Sequence, residues 1–175
     1  MAGANIYFIM SEDEYLNLIL ENKEYELVKY VPAVHILYEE ADFGKYFGND
    51  GYISEGIFDI DEIKDMSEEL FYTLNLPSII YVNNRFSIEE GFKMAFAEKK
   101  LHKIIKVVNN MTPGKFMENG EYLIREAIRD EDILVHPVGD LQGNYVQTMD
   151  GWLHDYAEEG KIYYVVGVYY VNYRR

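Results

Sequence analysis

Hydrophobic and polar residues follow two periodicities along this chain, one typical of strands and one typical of helices. The clearest stretch begins with Ile79–Val82, a β-branched and aromatic run that predicts a buried strand. Ile88, Phe92 and Phe96 then recur at helical spacing. Residues 104–108 are a second β-branched run. We therefore expect strand, helix and strand in succession, which is a βαβ unit with parallel strands.

Capping signals mark the expected helix starts. Ser87 stands three residues before Glu90, which is the spacing of a capping box and predicts the start of the central helix. Ser11 and Glu14 repeat that spacing near the beginning of the chain. Two further starts are expected, at Asp59 and at the pair Thr112 and Pro113.

Four further strands are expected, in residues 5–10, 25–31 (resuming in 34–38), 133–136 and 161–173. Gly167 suggests a bulge or bend in the last of these. Without a bulge, alternation would place Tyr163 and Tyr169 on one face of that strand, and Tyr164 and Tyr170 on the other.

A loop or hairpin is expected over residues 42–56, and a short helix or strand within 152–156. Together these elements predict a single α/β domain over residues 1–175. Its sheet is mixed, at least partly parallel, and flanked by helices.

Composition excludes several classes of protein. At 49% hydrophobic residues the chain is too apolar to be disordered. It has no cysteine, so neither a disulfide framework nor a zinc–thiolate site is available. No apolar run approaches the length of a membrane span, and the first residues lack a basic signal-peptide region. We expect a cytoplasmic protein.

Charge is distributed unevenly along the chain, whose net charge is −15. Residues 1–75 carry −13, residues 76–115 carry +4 and residues 116–175 carry −6. Direct binding to nucleic acid by the whole surface is not expected, because phosphate contacts need clustered lysine and arginine. A cationic partner is easier to accommodate.

Motifs for catalysis are missing from the sequence. It contains no phosphate-binding GxxxxGK[ST] loop, no GxGxxG, no GxSxG and no HExxH. The acids at residues 59–62 fit a helix start better than a metal site, and no two of the four histidines stand at ligand spacing. No cofactor, metal or catalytic residue is predicted, and a non-enzymatic role is favoured.

One ligand site is expected beyond the carboxyl ends of the strands, where open α/β sheets bind ligands. Asparagines, one arginine and helix N-termini at these ends could hold a phosphate or nucleotide-like anion. The residues in question are Asn83, Asn84, Arg85, Asn109, Asn110, His136 and Asp140.

The favoured function is docking on a basic surface of a partner protein through acidic helix faces. These faces carry Glu12, Asp13, Asp61, Glu62, Asp65, Glu68 and Glu69. In composition alone, the chain resembles the small, acidic, cysteine-free proteins with which phages and mobile elements block host factors. That resemblance, which covers no motif, implies an inhibitor that can mimic nucleic acid.

The alternatives are a module that binds or sequesters a nucleotide-like anion, and an enzyme on a doubly wound fold. The tyrosine-rich last strand could also join copies of the chain into a homo-oligomer.

Overall fold

The computed structural model describes residues 2–20, 52–57, 59–128, 133–142 and 146–173. Its strands are β1 (Ala2–Ser11), β2 (Tyr52–Ile57), β3 (Ile79–Val82), β4 (Arg85–Ile88), β5 (Leu134–Pro137), β6 (Gln147–Thr148) and β7 (Ile162–Tyr173). Its helices are α1 (Glu12–Leu20), α2 (Ile60–Leu74), α3 (Phe92–Asn109), α4 (Pro113–Ile128) and α5 (Met149–Asp155). The strand predicted over residues 25–31 and 34–38 lies outside the described residues.

One mixed sheet of seven strands holds the described part of the chain together. The strand order is β3-β4-β7-β1-β5-β6, and β2 also pairs with β7. β1 and β5 run parallel, whereas the other pairs are antiparallel. The predicted α/β class with a partly parallel sheet is therefore confirmed.

β7 is the central strand of this sheet. One edge pairs with β1 along almost its whole length. The other edge pairs first with β4, at residues 162–164, and then with β2, at residues 168–172. Both edges are thus hydrogen-bonded over these residues, so a second copy of the chain cannot extend the sheet there.

The predicted central βαβ unit is wrong. β3 and β4 form an antiparallel hairpin with a two-residue turn, Asn83 and Asn84. Asn83 is in the left-handed region, at φ 56°. Residues 104–108 then continue α3 and form no second strand. No glycine or proline interrupts the chain between Phe92 and Asn109. Helix continuation therefore prevails over the β preference of Ile104, Ile105 and the valines.

The capping box predicted at Ser87 and Glu90 is also wrong. Ser87 lies within β4, and its hydroxyl donates to Glu89 Oε1 at 2.7 Å. The start of α3 is capped from elsewhere in the chain. The carboxylate of Glu159 accepts from the backbone N–H groups of Gly91 at 3.1 Å and Lys93 at 2.8 Å.

Other predicted helix starts are confirmed. Asp59 accepts from the backbone N–H groups of Asp61 and Glu62, and Ser11 Oγ accepts from Glu14 N at 3.3 Å. α4 begins at Pro113, directly after Thr112, as predicted. The helical backbone of α4 is interrupted at Asn119, next to Gly120.

The bulge predicted near Gly167 is confirmed. Phe8 pairs with Gly167 and Ile9 pairs with Val165, so Val166 is the extra residue. The bulge reverses the alternation of side chains beyond it. Tyr170 consequently shares a face with Tyr163 rather than with Tyr164, whose grouping with Tyr170 was expected only without a bulge.

The sheet has two buried faces that different helices cover. On the front face, defined by Tyr163, Val165 and Val168, the core includes residues of α2, α3 and α5. Phe71 of α2 lies 4.7 Å from Phe86 between ring centroids. The back face is defined by Phe8, His136 and Tyr164. α1 lies on the back face, where Tyr15 stacks on Tyr164 at 4.1 Å.

Candidate functional site

The residues predicted to bind an anion lie at three separate places. Asn83 and Asn84 form the β3–β4 turn, and Arg85 begins β4. The strand expected over residues 104–108 is part of α3. Asn109 is therefore the last residue of a helix, and Asn110 is its C-cap. A helix C-terminus presents carbonyl oxygens rather than N–H groups, so it does not favour an anion.

Asn84 is engaged in the sheet. Asn84 is buried, and its side-chain Nδ2 donates to Val165 O at 2.9 Å. Its backbone carbonyl oxygen accepts from Val165 N at 2.8 Å. These bonds extend the β4–β7 ladder. Asn84 therefore has a structural role in this arrangement.

His136 is buried on the back face. Its side chain is 2% exposed, and burial lowers its pKa to about 4. The imidazole is therefore neutral at pH 7 and closed off from solvent. Its ring nitrogens form no hydrogen bond with the other predicted site residues.

Four of the polar residues at the strand ends do come together, where β1 and β5 finish side by side. Ser11 Oγ donates to Asp140 Oδ1 at 2.8 Å. Arg85 Nε lies 3.7 Å from Glu12 Oε1, so the one arginine of the predicted site is next to a carboxylate. This is the position at which the sequence predicted a ligand.

A pocket of about 300 Å³ opens at this edge of the sheet. Its lining includes the carboxylates of Glu12, Asp13, Asp140 and Glu158, against one cation, Lys161. Trp152, Tyr156 and Tyr163 also line it, and these aromatic residues were missed from the sequence. The excess of carboxylates makes the pocket unfavourable for a nucleotide-like anion.

The polar groups of Tyr163 and Trp152 in this pocket have different surroundings. Tyr163 Oη accepts from Glu158 N at 3.0 Å, and burial raises the pKa of its phenol. Trp152 Nε1 is buried without a hydrogen-bond partner among the described residues. None of the described residues that line the pocket is a histidine.

The outer face of α2 forms a separate acidic surface. Its inner positions, including Ile63, Leu70 and Phe71, are buried in the front-face core. Its outer positions are exposed carboxylates, which we call the α2 acidic face: Asp61, Glu62, Asp65, Glu68 and Glu69. Lys64 Nζ pairs with Asp61 Oδ1 at 3.1 Å and is the one cation within this helix.

The acids at the start of α1 are not continuous with the α2 acidic face. α1 covers the back face of the sheet and α2 covers the front face. Glu12 and Asp13 lie in the first turn of α1, where carboxylates are favoured by the helix dipole.

Lysines are concentrated on the pair of helices α3 and α4. Residues 99–117 carry five lysines and no acidic residue. A second cavity, of about 600 Å³, lies between these helices, and Asn110 lines it with several of the lysines. The sequence already showed this local positive charge, but it did not show that the lysines would surround a groove.

Within the described ranges, no group of three or more histidines or carboxylates is placed to hold a metal ion. In the same ranges no helix is both long enough and apolar enough to cross a membrane. Comparison of the chain with protein-family models, with curated protein sequences and with solved structures gave no significant match.

Proposed function

We propose that this is a non-enzymatic binding protein that docks the α2 acidic face on a basic surface of a partner protein. The observation that carries the proposal is the set of five exposed carboxylates on one helix, with a single lysine among them. Complementary charge speeds the encounter of two proteins and selects the partner. Tyr72, which is 80% exposed one turn further along, provides an aromatic anchor for the contact.

The spacing of these carboxylates favours a partner surface that normally holds nucleic acid. Asp61 and Glu69 are eight residues apart, which corresponds to about 12 Å of helix rise. Five carboxylates over that length give roughly one charge per 3 Å. One strand of B-DNA carries one charge per ~3.4 Å. A groove built for phosphates therefore meets a similar charge density on α2.

Helix stability does not explain why these acids are present. Asp61 and Glu62 lie in the first turn of α2, where the dipole favours them. Glu68 and Glu69 lie between the first and last turns, where the dipole gives a carboxylate no stabilisation. Like charges three or four residues apart also repel. Acids retained at an unfavourable position are expected of a surface selected for binding.

The test is capture of partners from an extract of the organism that encodes the chain, with the full chain as bait. We expect wild type to retain proteins with basic surfaces at low salt, and to release them as salt is raised. The double variant Glu68→Lys with Glu69→Lys should lose these proteins. A double-stranded DNA oligonucleotide should displace them from wild type.

A matched control carries the same change of charge elsewhere on the surface. Glu90→Lys combined with Glu121→Lys alters two exposed acids outside α2 and should leave capture intact. Equal loss in both double variants would show that net charge, rather than the α2 acidic face, retains the partner. Retention that does not change with salt would contradict the electrostatic contact.

A further inference from the structure

The cavity between α3 and α4, which we call the α3–α4 groove, has an aliphatic floor and a cationic rim. Its volume is about 600 Å³. The floor consists of Val107, Met111, Leu123 and Ala127. The rim includes three lysines and one acid: Lys103, Lys106, Lys115 and Glu126. None of these residues is fully buried, so the groove is shallow and open.

The lysines of this region divide into two groups by their contacts. Lys99 Nζ donates to Leu74 O at 2.9 Å, and Lys100 forms an ion pair with Asp150, so both have structural contacts. Among the described residues, Lys106 and Lys115 form no ion pair. Both are exposed, and both line the groove.

We propose that the α3–α4 groove binds an acidic amphipathic helix of another protein. The apolar stripe of such a helix would cover the floor, and the carboxylates beside the stripe would meet the lysines on the rim. Helices that lay an apolar face into a hydrophobic groove are a recurrent mode of recognition. The charge of the rim selects acidic helices over neutral and basic ones.

Other anionic partners fit this groove less well. A small ligand would not be enclosed, because no lining residue is buried. Nucleic acid would use only the lysines of the rim, through its phosphates, because the described lining residues include no arginine and no aromatic side chain on which a base could stack. A membrane is an extended anionic plane that meets the whole net charge of −15. A docked helix is affected chiefly by charges within about 8 Å at physiological salt.

A second copy of this chain is also a poor occupant. Its own acidic helix, α2, presents carboxylates on its outer face, but its exposed apolar residues, Ile60 and Tyr72, lie near opposite ends. They do not form the continuous stripe that the aliphatic floor requires. The groove is distinct from the α2 acidic face, so this inference does not depend on the proposed function.

The test is selection of partners from a displayed library of helical peptides about 20 residues long with randomised surface positions. The bait is the full chain, and the counter-selection bait is Lys106→Glu combined with Lys115→Glu. We expect enriched peptides to carry an apolar stripe flanked by aspartate and glutamate. Measured by fluorescence anisotropy, these peptides should bind wild type at least tenfold more tightly than the double variant.

A matched control variant, Lys64→Glu combined with Lys161→Glu, makes the same change of charge away from the groove. It should bind the peptides within twofold of wild type, and circular dichroism should show all three proteins folded. The inference is overturned if no peptide survives counter-selection, if the survivors lack acidic residues, or if both double variants bind alike. It is also overturned if only duplex DNA or phosphatidylserine vesicles bind in a Lys106- and Lys115-dependent way.

Discussion

At the scale of single residues, His136 lies in surroundings very different from water. Both of its ring nitrogens lack a hydrogen-bond partner among the described residues. Its ring meets Phe8 edge-on, with centroids 5.0 Å apart. The apolar surroundings favour the neutral imidazole and lower its pKa to about 4.

This pKa makes the fold sensitive to acid. In the unfolded chain a histidine has a pKa of about 6.5, so between pH 6.5 and 4 the unfolded chain binds more protons than the folded protein. The free energy of unfolding must therefore fall as pH decreases through that range. At pH 4.5 the contribution of His136 amounts to a loss of about 2 kcal/mol relative to pH 7.

Replacing His136 by leucine should remove this loss, because leucine binds no proton and leaves no unsatisfied polar group. Urea denaturation of wild type and His136→Leu at pH 7 and pH 4.5 measures the effect. The stability of the variant relative to wild type should rise by about 2 kcal/mol at the lower pH. Exposed His102→Leu is the control and should follow wild type. Parallel pH profiles for wild type and His136→Leu would contradict the assignment.

Single residues also show where local sequence information ends. The sequence correctly ended the predicted strand at Val82, before Asn83 and Asn84, and asparagine is common in turns. It could not show that Val165, 81 residues away, would lie opposite Asn84 and accept a hydrogen bond from its side-chain amide. A polar residue at a strand end looks the same in sequence whether it faces solvent or completes a ladder.

At the scale of secondary-structure elements, α3 supplies cations to the C-terminal ends of two other helices. Lys93 Nζ donates to two carbonyl oxygens at the end of α5, at 2.6 and 2.7 Å. Lys99 Nζ donates to Leu74 O and Asn75 O at the end of α2. Helix C-termini favour positive charge and leave carbonyl groups unpaired, so these lysines stabilise both helices.

Lys99→Met should therefore destabilise the protein by about 1 kcal/mol, because it removes a charged donor from the end of α2 while keeping the aliphatic stem. Lys106→Met is the matched control on the same helix, and it should change the free energy of unfolding by less than about 0.5 kcal/mol. Urea denaturation at pH 7 measures both. Equal effects at the two positions would show that these lysines do not divide into structural and free groups.

Elements whose signals are local were predictable, and those with distant partners were not. Asp59 caps the helix that begins beside it, and the pair of Thr112 and Pro113 marks the start of α4. The start of α3 depends on Glu159, which comes from a turn 66 to 68 residues further along. The sequence offered Ser87 and Glu90 instead, because a capping box can be recognised only between neighbours.

At the scale of the whole molecule, the uneven charge of the sequence becomes two surfaces of opposite sign. The acid-rich first part of the chain supplies the α2 acidic face, and the lysine-rich middle supplies the rim of the α3–α4 groove. The charge totals were readable from the sequence. The positions were not, because which face of a sheet a helix covers depends on packing between distant residues, such as Phe71 on Phe86 and Tyr15 on Tyr164.

If the α2 acidic face exists for binding, removing its charge should make the folded protein more stable. Glu68→Lys combined with Glu69→Lys relieves repulsion between carboxylates on α2 and lowers the net negative charge of the protein. In about 20 mM salt we expect a gain of about 1 kcal/mol in the free energy of unfolding. The gain should shrink in about 0.5 M salt, because screening weakens each of these terms.

Glu90→Lys combined with Glu121→Lys separates the local effect from the effect of net charge. This control lowers the net charge equally but leaves α2 unchanged, so it should gain less stability at low salt than the α2 variant. If the α2 variant were instead less stable than wild type, Glu68 and Glu69 would be contributing to the fold. Glu68 and Glu69 would then not be retained at a cost to stability for the sake of a partner, even if the variant also lost binding.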